Sequence, residues 1–308
     1  MATPHHNNFS EPPKALTFDV FGTVVNWRKT VTDTLIEKST AKLSSGSDIP
    51  SSTREVASKL SNEDWGTFAQ QWRDTYKEFV HGFVPGESEW RDIDTHHHLA
   101  LISLLKKWQI PDLYTDEEIK NLSLIWHFLE PWAETSSGLH KLGTKFTTST
   151  LSNGNQSLLQ DLNHHGDLGF RKLQSSADFA AYKPHPSVYR GAARVLGLEP
   201  KDVAMVAAHL VDLKAARECG FKTIYVERLG EEDWSADSEE YRDSKAWVDM
   251  WEVIRTGIGR EMACVVKRTG LLFICDRGTE YQNGCAFRLG TWLEETKGEG
   301  KETRLSKP

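Results

Sequence analysis

Two carboxylates and one ammonium group stand where polar residues interrupt apolar segments of the chain. They are Asp19, Lys183 and Asp212. A carboxylate kept ionised beside a lysine can attack carbon or phosphorus to form a covalent intermediate, and a second carboxylate can activate the water that releases the product. Opposite charges about 4 Å apart gain roughly 4 kcal/mol at an effective dielectric of about 20. We therefore predict Asp19 as the nucleophile and Asp212 as the water activator, the alternative being that each carboxylate only caps a local turn or helix.

Four segments share one arrangement, in which a strand-like run ends in polar residues and is followed by a helical pattern. The segments are 16–22, 145–154, 180–184 and 203–212. Strands that alternate with helices predict right-handed crossovers and a parallel sheet. All four segment ends should then meet at one edge of the sheet, where open α/β folds place their chemistry. That edge would gather Asp19, Ser152, Asn153, Lys183 and Asp212.

The region between the first and second predicted strands has apolar residues at helical spacing. The predicted helices cover 31–42, 62–80, 93–108 and 115–128. A helical insertion in this place is typical of a cap domain that excludes water from a site. We predict an α/β fold with a Rossmann-like parallel sheet core at 15–27 and 130–260 and a helical cap at 28–129.

Both ends of the chain have weaker patterns. Residues 1–14 are polar and contain proline, and they lack the apolar segment of a secretory signal, which predicts a disordered N-terminus and a cytoplasmic protein. Residues 246–258 could form one more helix. Residues 261–308 show no sustained periodicity and are predicted to be irregular or disordered.

The composition limits the possible partners. The chain has 308 residues, a charged share of 26% and a net charge of −7, without a basic stripe for nucleic acid. No apolar run is long enough to cross a membrane. The four cysteines have no CxxC spacing, so free thiols are expected rather than a zinc site or disulfides. A small-molecule substrate is the predicted partner.

The run His96, His97 and His98 invites a metal-site interpretation. Consecutive helical positions point in different directions, so these three side chains cannot all bind one ion. We therefore predict no metal at this run.

The residue two positions after Asp19 distinguishes two reactions. An aspartate-based phosphatase usually has a second acid there to protonate the leaving alkoxide, and this chain has Phe21. A magnesium ion would also need several oxygen ligands, whereas the segment before Asp212 has no tandem acid. Halide leaves as a stable anion and needs neither a proton donor nor a metal. Displacement of halide from carbon is thus the favoured reaction.

Four motifs carry a resemblance to a known family. They are DVFGT at 19–23, TLSNGN at 150–155, AYKPHPSVY at 181–189 and AAHLVDLKAA at 207–216. The chain resembles the haloacid dehalogenase superfamily over about residues 15 to 228, and most of all its type II (S)-2-haloacid dehalogenases. The resemblance implies a Rossmann-like core with a helical cap, an aspartyl-ester intermediate, no metal or cofactor, and a possible homodimer.

The resemblance also implies roles for individual residues. Asp19 would attack the halogen-bearing carbon, and Thr23 would orient its loop. Lys183 and Tyr189 match the lysine and tyrosine of the third motif, and Asp212 matches the acid associated with the hydrolytic water.

Substrate contacts are implied for a second set of residues. Ser152 and Asn153 match positions that hold the substrate carboxylate and contact the halide. Arg73, in a helix similar to the family's WRxxxxxY helix, would bind the halide, although the spacing to Tyr76 differs. Phe21 is expected to border the substrate.

Two residues depart from the family pattern. Ala207 and His209 stand where the family's enzymes have Ser and Asn. We hypothesise that His209 pairs with Asp212 and acts as a base, since its ordinary pKa is near neutrality. Two alternatives stay open, a magnesium-dependent phosphatase of the same superfamily and a non-catalytic relative that acts as a binding module.

Overall fold

The structure is a computed structural model that describes residue 9 and residues 11–46 and 48–253. Its strands are β1 (Ala15–Phe18), β2 (Thr147–Thr150), β3 (Val203–Ala207), β4 (Lys222–Glu227) and β5 (Met250–Val253). They form a five-stranded sheet in the order β2-β1-β3-β4-β5. All neighbouring strands are parallel. The predicted α/β fold with a Rossmann-like core is confirmed.

The register of the central strands brings their carboxyl ends level. Phe18 of β1 lies beside Thr150 of β2 and Val206 of β3. The backbone N–H of Asp19 continues the ladder by donating to the carbonyl oxygen of Val206 at 3.0 Å. β1 and β3 are buried along their whole length, as expected for strands covered by helices on both faces. Residues that follow these three strands therefore meet at one edge.

A helical region lies between β1 and β2. Its helices are α1 (Trp27–Ser44), α2 (Ser51–Ala57), α3 (Asn62–Gly82), α4 (Ile93–Lys107) and α5 (Asp116–Ser123), followed by a 3₁₀ turn at Leu124–His127. The four predicted helices coincide with α1, α3, α4 and the pair α5 plus 3₁₀ turn, whereas α2 was not predicted. Capping boxes start α3 at Ser61 and α5 at Thr115. The division into cap and core at residues 28 and 129 stays a prediction.

Aromatic side chains fill the centre of this helical region. The ring of Trp126 stacks on Trp27 at 5.9 Å and on His97 at 4.3 Å, and it meets Trp72 edge to face at 5.5 Å. His96 stacks on Phe79 instead, at 4.5 Å. The two adjacent histidines thus pack in different directions. Packing of this kind fixes α3 and the start of α1 against each other.

The remaining helices flank the sheet. They are α6 (Thr135–Gly143), α7 (Gln156–His165), α8 (Pro186–Leu196), α9 (Leu210–Glu218) and α10 (Glu239–Trp247), with 3₁₀ turns at Ser176–Phe179 and Pro200–Asp202. The helix predicted at 246–258 is wrong over residues 248–253, because α10 ends at Trp247 and β5 pairs with β4. Short apolar runs fit either a strand or a buried helix, and here the open edge of β4 decides the outcome.

The expectation of four strand ends also needs correction. No strand of the sheet precedes Lys183 directly, since the segment before it forms only isolated bridges from Lys172 to Ser149 and from Ser175 to Ser152, then a 3₁₀ turn. Predictions that fall on residues 1–8, residue 10 and residues 254–308 lie outside the described residues. Among the described helices, none has the length and apolar character needed to cross a membrane.

Candidate active site

Three predicted residues form one buried charge cluster at the carboxyl edge of the sheet. The Nζ of Lys183 donates to Oδ1 of Asp19 at 2.9 Å and to Oδ2 of Asp212 at 2.5 Å. All three residues are at most 9% exposed. Asp19 follows β1, and Asp212 lies in the first turn of α9, directly after β3. Lys183 comes from the loop before α8, so the lysine joins two carboxylates that the sheet already places near each other.

The second oxygen of Asp19 is held by two donors. Thr23 donates its hydroxyl to Oδ2 at 2.8 Å, and Nδ1 of His209 lies 3.1 Å from the same oxygen. The Thr23 hydroxyl in turn accepts the backbone N–H of Ala208 at 2.9 Å. The loop after β1 is thereby attached to the loop after β3, which supports the predicted orienting function of Thr23.

Asp212 has a separate support. Tyr189 of α8 donates its hydroxyl to Oδ1 of Asp212 at 2.5 Å. Tyr189 is fully buried, and burial together with the neighbouring carboxylate raises the pKa of its hydroxyl well above the ordinary value. The tyrosine therefore stays a hydrogen-bond donor at any physiological pH.

The charges of the cluster make its two carboxylates unequal. Burial alone would raise the pKa of Asp19, but the Lys183 ammonium and the hydrogen bond from His209 outweigh it and hold that pKa well below the usual range. Burial also favours the neutral form of Asp212, and with the charge of Asp19 it raises the pKa of Asp212 despite Lys183. Asp19 is thus a firmly ionised carboxylate, and Asp212 is the more basic of the pair.

His209 does not pair with Asp212, in contrast to the hypothesis from the sequence. Its Nδ1 faces Asp19, and its Nε2 lies 3.5 Å from Oε2 of Glu231. Burial would lower the pKa of His209, but the hydrogen bonds to these two carboxylates raise it to about 9. The ring is therefore cationic near neutral pH and unsuited to act there as a base.

Glu231 is a buried site residue that sequence reasoning missed. It lies in the loop after β4, is 5% exposed, and accepts the indole N–H of Trp27 at 3.0 Å. Burial would raise its pKa, but His209 and Trp27 outweigh this and lower it. The only signal in the sequence is an acidic residue shortly after a strand, which is too common to single it out.

Gly22 makes room for this glutamate. Its φ of +84° is one that residues with a side chain rarely adopt, and a Cβ there would lie 2.0 Å from Oε2 of Glu231. The glycine turn after β1 thus allows both the backbone conformation and the close approach.

A cavity of about 110 Å³ opens beside the cluster. One side is a single face of α3, since its lining residues are spaced by one helical turn. These residues are Arg73, Tyr76, Lys77, Val80 and His81. The remaining lining residues are Asp19, Asn153, Lys183, Pro184, Tyr189, His209, Val211, Asp212 and Asp233.

Aromatic rings surround the guanidinium of Arg73 at this cavity. Its guanidinium carbon is 4.5 Å from the ring centre of Tyr76, 5.5 Å from that of Phe21 and 5.7 Å from that of Trp27. Arg73 is 6% exposed, and within the described chain its Nε has no hydrogen-bond partner. A buried cation with an unused N–H at a cavity can bind an anion.

Asn153 and Ser152 occupy different places. Asn153 lines the cavity, but its side-chain oxygen accepts the backbone N–H of Lys183 at 2.8 Å and the hydroxyl of Ser176 at 2.7 Å. Ser152 is fully buried outside the lining, and its hydroxyl accepts the N–H of Gly154 at 3.2 Å. Asn153 therefore positions the lysine loop, and the predicted substrate contacts of both residues stay predictions.

Phe21 lies behind Arg73 rather than on the cavity surface. It is 3% exposed and packs edge to face on Trp126 at 6.2 Å. The position that could carry a proton donor for a leaving alkoxide therefore holds an aromatic packing residue.

Within residues 9, 11–46 and 48–253, no three His, Cys, Asp or Glu side chains are arranged to hold one metal ion.

Comparisons with known proteins agree with this geometry. A family model described as haloacid dehalogenase-like hydrolase matches residues 13–220. The chain is 34% identical over 100 residues to (S)-2-haloacid dehalogenase 4A of Burkholderia cepacia, a match that covers 32% of this chain and 42% of that protein. The chain spans about half the length of the curated relatives it matches.

Two solved structures extend the similarity over most of the described fold. The defluorinating L-2-haloacid dehalogenase Rha0230 superposes with a TM-score of 0.63 and 29% identity, covering 74% of this chain and 86% of that chain. The L-2-haloacid dehalogenase PA0810 superposes with a TM-score of 0.60 and 30% identity, covering 74% and 93%.

Proposed function

Because the chain belongs to the haloacid dehalogenase-like hydrolases, we propose that it hydrolyses the carbon–halogen bond of a short (S)-2-haloacid through an ester of Asp19. The observation that carries this proposal is an ionised, buried Asp19 carboxylate at a small cavity, with Phe21 where a phosphatase would carry its acid. Similar proteins are named as 2-haloacid dehalogenases. The proposed compartment is the cytoplasm, and the possible homodimer stays a prediction.

The size and charge of the cavity suit such a substrate. A volume of about 110 Å³ holds only a small molecule, since an engineered cavity of about 150 Å³ accommodates benzene. Arg73 and Lys183 supply positive charge for the substrate carboxylate and the departing halide. Binding a small anion between fixed cations orients its reacting carbon toward Asp19.

The two oxygens of Asp19 are not equivalent for attack. Oδ2 accepts from both Thr23 and His209, whereas Oδ1 accepts one hydrogen bond, from Lys183, among those formed within the described residues. Oδ1 therefore keeps a lone pair for attack on the halogen-bearing carbon. The new carbon–oxygen bond forms as the carbon–halogen bond breaks, and the electron pair leaves with the halide near Arg73.

Hydrolysis of the ester then needs a base. Once Asp19 is esterified its charge is gone, and Lys183 stays paired with Asp212. Asp212, whose pKa is raised by burial, takes a proton from the water that attacks Cγ of Asp19. The tetrahedral intermediate expels the alkoxide oxygen, which takes the proton from Asp212 and leaves as the 2-hydroxyacid. Asp19 loses its own proton to solvent and is ready for the next turnover.

The test is halide release by the full chain from (S)-2-chloropropionate in buffer without added metal. In a single turnover in ¹⁸O-water, one heavy oxygen should enter Asp19, and none should enter the product. Release of phosphate from phosphate esters that requires magnesium, without halide release, would instead establish the phosphatase. Neither activity, with the fold intact by circular dichroism, would leave the binding module as the function.

A further inference from the structure

The ring of His209 lies between two buried carboxylates, Asp19 and Glu231. A neutral imidazole has one N–H, so it can donate to only one of two flanking carboxylates. Only the doubly protonated ring can donate from Nδ1 to Asp19 and from Nε2 to Glu231 at the same time. Both partners are poorly exposed, with side-chain exposures of 11% for Asp19 and 4% for Glu231. Both contacts are therefore poorly accessible to water.

From this geometry, and resting on the aspartyl ester proposed above, we propose that His209 is the oxyanion donor for ester hydrolysis and that Glu231 is the positioning residue that holds it. When Oδ1 of Asp19 carries the substrate carbon, Oδ2 becomes the carbonyl oxygen of the ester. That oxygen keeps its two donors, Nδ1 of His209 and the hydroxyl of Thr23. Both are already in place before negative charge develops.

His209 keeps its proton throughout the hydrolytic step. Water adds to Cγ of Asp19, the carbon–oxygen double bond opens, and its electron pair moves to Oδ2. His209 shares its Nδ1 proton with that oxyanion but does not transfer it, because Asp212 handles the proton of the water. When the double bond re-forms, the bond from Cγ to the alkoxide oxygen breaks and His209 is unchanged.

Glu231 is built into the site from several sides. Its Oε2 receives the indole N–H of Trp27, and its backbone N–H donates to the carbonyl oxygen of Arg228 at 3.3 Å. Arg228 donates from Nε to the carbonyl oxygen of Thr23 at 3.1 Å. The loop after β4 is thus attached to the nucleophile loop, and a rigid glutamate keeps the His209 ring aimed at Asp19.

Other charged groups also act on His209. Glu232 lies in the same loop and interacts with the His209 charge, and Arg73 stabilises the Glu231 carboxylate. Lys183 lies on the far side of Asp19 and pairs with it. After ester formation Asp19 is neutral, so Glu231 becomes the carboxylate in direct contact that keeps the ring cationic.

The proposal predicts which step fails when the pair is broken. In His209→Ala, a rapid mixing experiment with (S)-2-chloropropionate should show the first equivalent of halide at close to the parent rate. Hydrolysis should slow by about 10²-fold, the usual effect of removing one oxyanion donor. Mass spectrometry of the quenched protein should then show an ester on the peptide that contains Asp19.

Two further variants separate a catalytic from a merely structural effect. His209→Asn keeps an N–H donor without a charge, so it should restore about 10-fold of the lost hydrolysis rate. It should also remove the alkaline decline in that rate, because an amide has no proton to lose in this range. Glu231→Gln keeps the volume and should move the alkaline decline of the parent to lower pH by about one unit. Glu130→Gln, at an exposed position, is the matched control and should behave as the parent.

The outcomes are distinct. No halide release by the parent would overturn the proposed function itself. Halide release by the parent, with unchanged ester hydrolysis in His209→Ala or with slowed release of its first halide equivalent and no ester accumulation, would overturn the oxyanion assignment alone. An unmoved pH profile in Glu231→Gln would overturn the positioning function of the glutamate.

Discussion

Two of the described histidines lie between two carboxylates, and the two sites differ in how far those carboxylates are buried. His209 is flanked by Asp19 and Glu231 at the cavity. His127, at the end of the helical region, has Nε2 3.0 Å from Asp94 of α4 and Nδ1 2.7 Å from Asp161 of α7. The second arrangement joins the inserted helices to a helix that flanks the sheet.

The carboxylates that flank the two histidines differ more in solvent exposure than the two rings do. The side chains of Asp94 and Asp161 are 26% and 49% exposed, against 11% for Asp19 and 4% for Glu231. Water can replace a partner of His127, so its ion pairs act as an exchangeable support. The partners of His209 are desolvated, and one of them faces a cavity. A similar set of side chains thus lies at the proposed site of chemistry in one place and joins two helices in the other.

The largest expected effect is a loss of activity when a carboxylate beside His209 is changed, and no loss when one beside His127 is changed. Asp19→Asn removes the nucleophile while keeping the size of the side chain, and we expect halide release to fall by at least about 10⁴-fold. Asp161→Asn changes the same side chain in the other cluster and should leave halide release unchanged. Steady-state halide assays on both variants measure the contrast. A comparable loss in both would mean that the two clusters are not separate.

Removing the central cation should have the largest effect on stability. Lys183→Met leaves Asp19 and Asp212 buried without a cation between them, and we expect the free energy of unfolding to fall by about 3 to 5 kcal/mol. Lys42→Met breaks the pair with Glu118, whose side chain is 43% exposed, and should cost at most about 1 kcal/mol. Urea denaturation of both variants at pH 7 tests the difference. Equal losses would show that burial of the Lys183 cluster does not set its contribution.

Gly22 offers a test of the space around Glu231. Gly22→Ala should destabilise the fold by about 1 to 2 kcal/mol through its φ of +84° and should also displace Glu231. Gly86 has the same φ of +84° with open space around it, so Gly86→Ala is a matched control for the strain alone. We expect both variants to lose stability and only Gly22→Ala to accumulate the ester. Ester accumulation in both, or in neither, would contradict the steric interpretation.

The sequence predicted the part of the site that follows from strand order. Asp19 and Asp212 come together because both follow neighbouring parallel strands, and the motif residue Lys183 joins them. The contacts of Glu231 could not be predicted in this way, because they depend on how a loop after β4 folds back onto Gly22. No periodic pattern in the sequence indicates how such a loop folds.

The error on His209 has a local cause. Side chains three apart face each other only when both residues are helical. His209 is the N-cap of α9, with φ of −122° and ψ of 113°, whereas Asp212 lies inside the helix. The extended backbone at His209 turns its ring toward Asp19 instead. Helices with clear caps, such as α3 and α5, were predicted well because their boundaries are set by neighbouring residues.

The smallest expected effect concerns the pH dependence of stability at His127. Burial would lower the pKa of His127, but its hydrogen bonds to Asp94 and Asp161 raise it above the ordinary value. A raised pKa in the folded state means that the charged ring stabilises the fold fully below about pH 6.5, and that this contribution is lost as pH rises through the folded-state pKa. His127→Gln should therefore cost about 1 kcal/mol at pH 6 and less at pH 9. Urea denaturation at both pH values, with the exposed His164→Gln as control, measures this change. A cost that grows between pH 6 and pH 9 would show that the neutral ring, rather than the ion pairs, supports this junction.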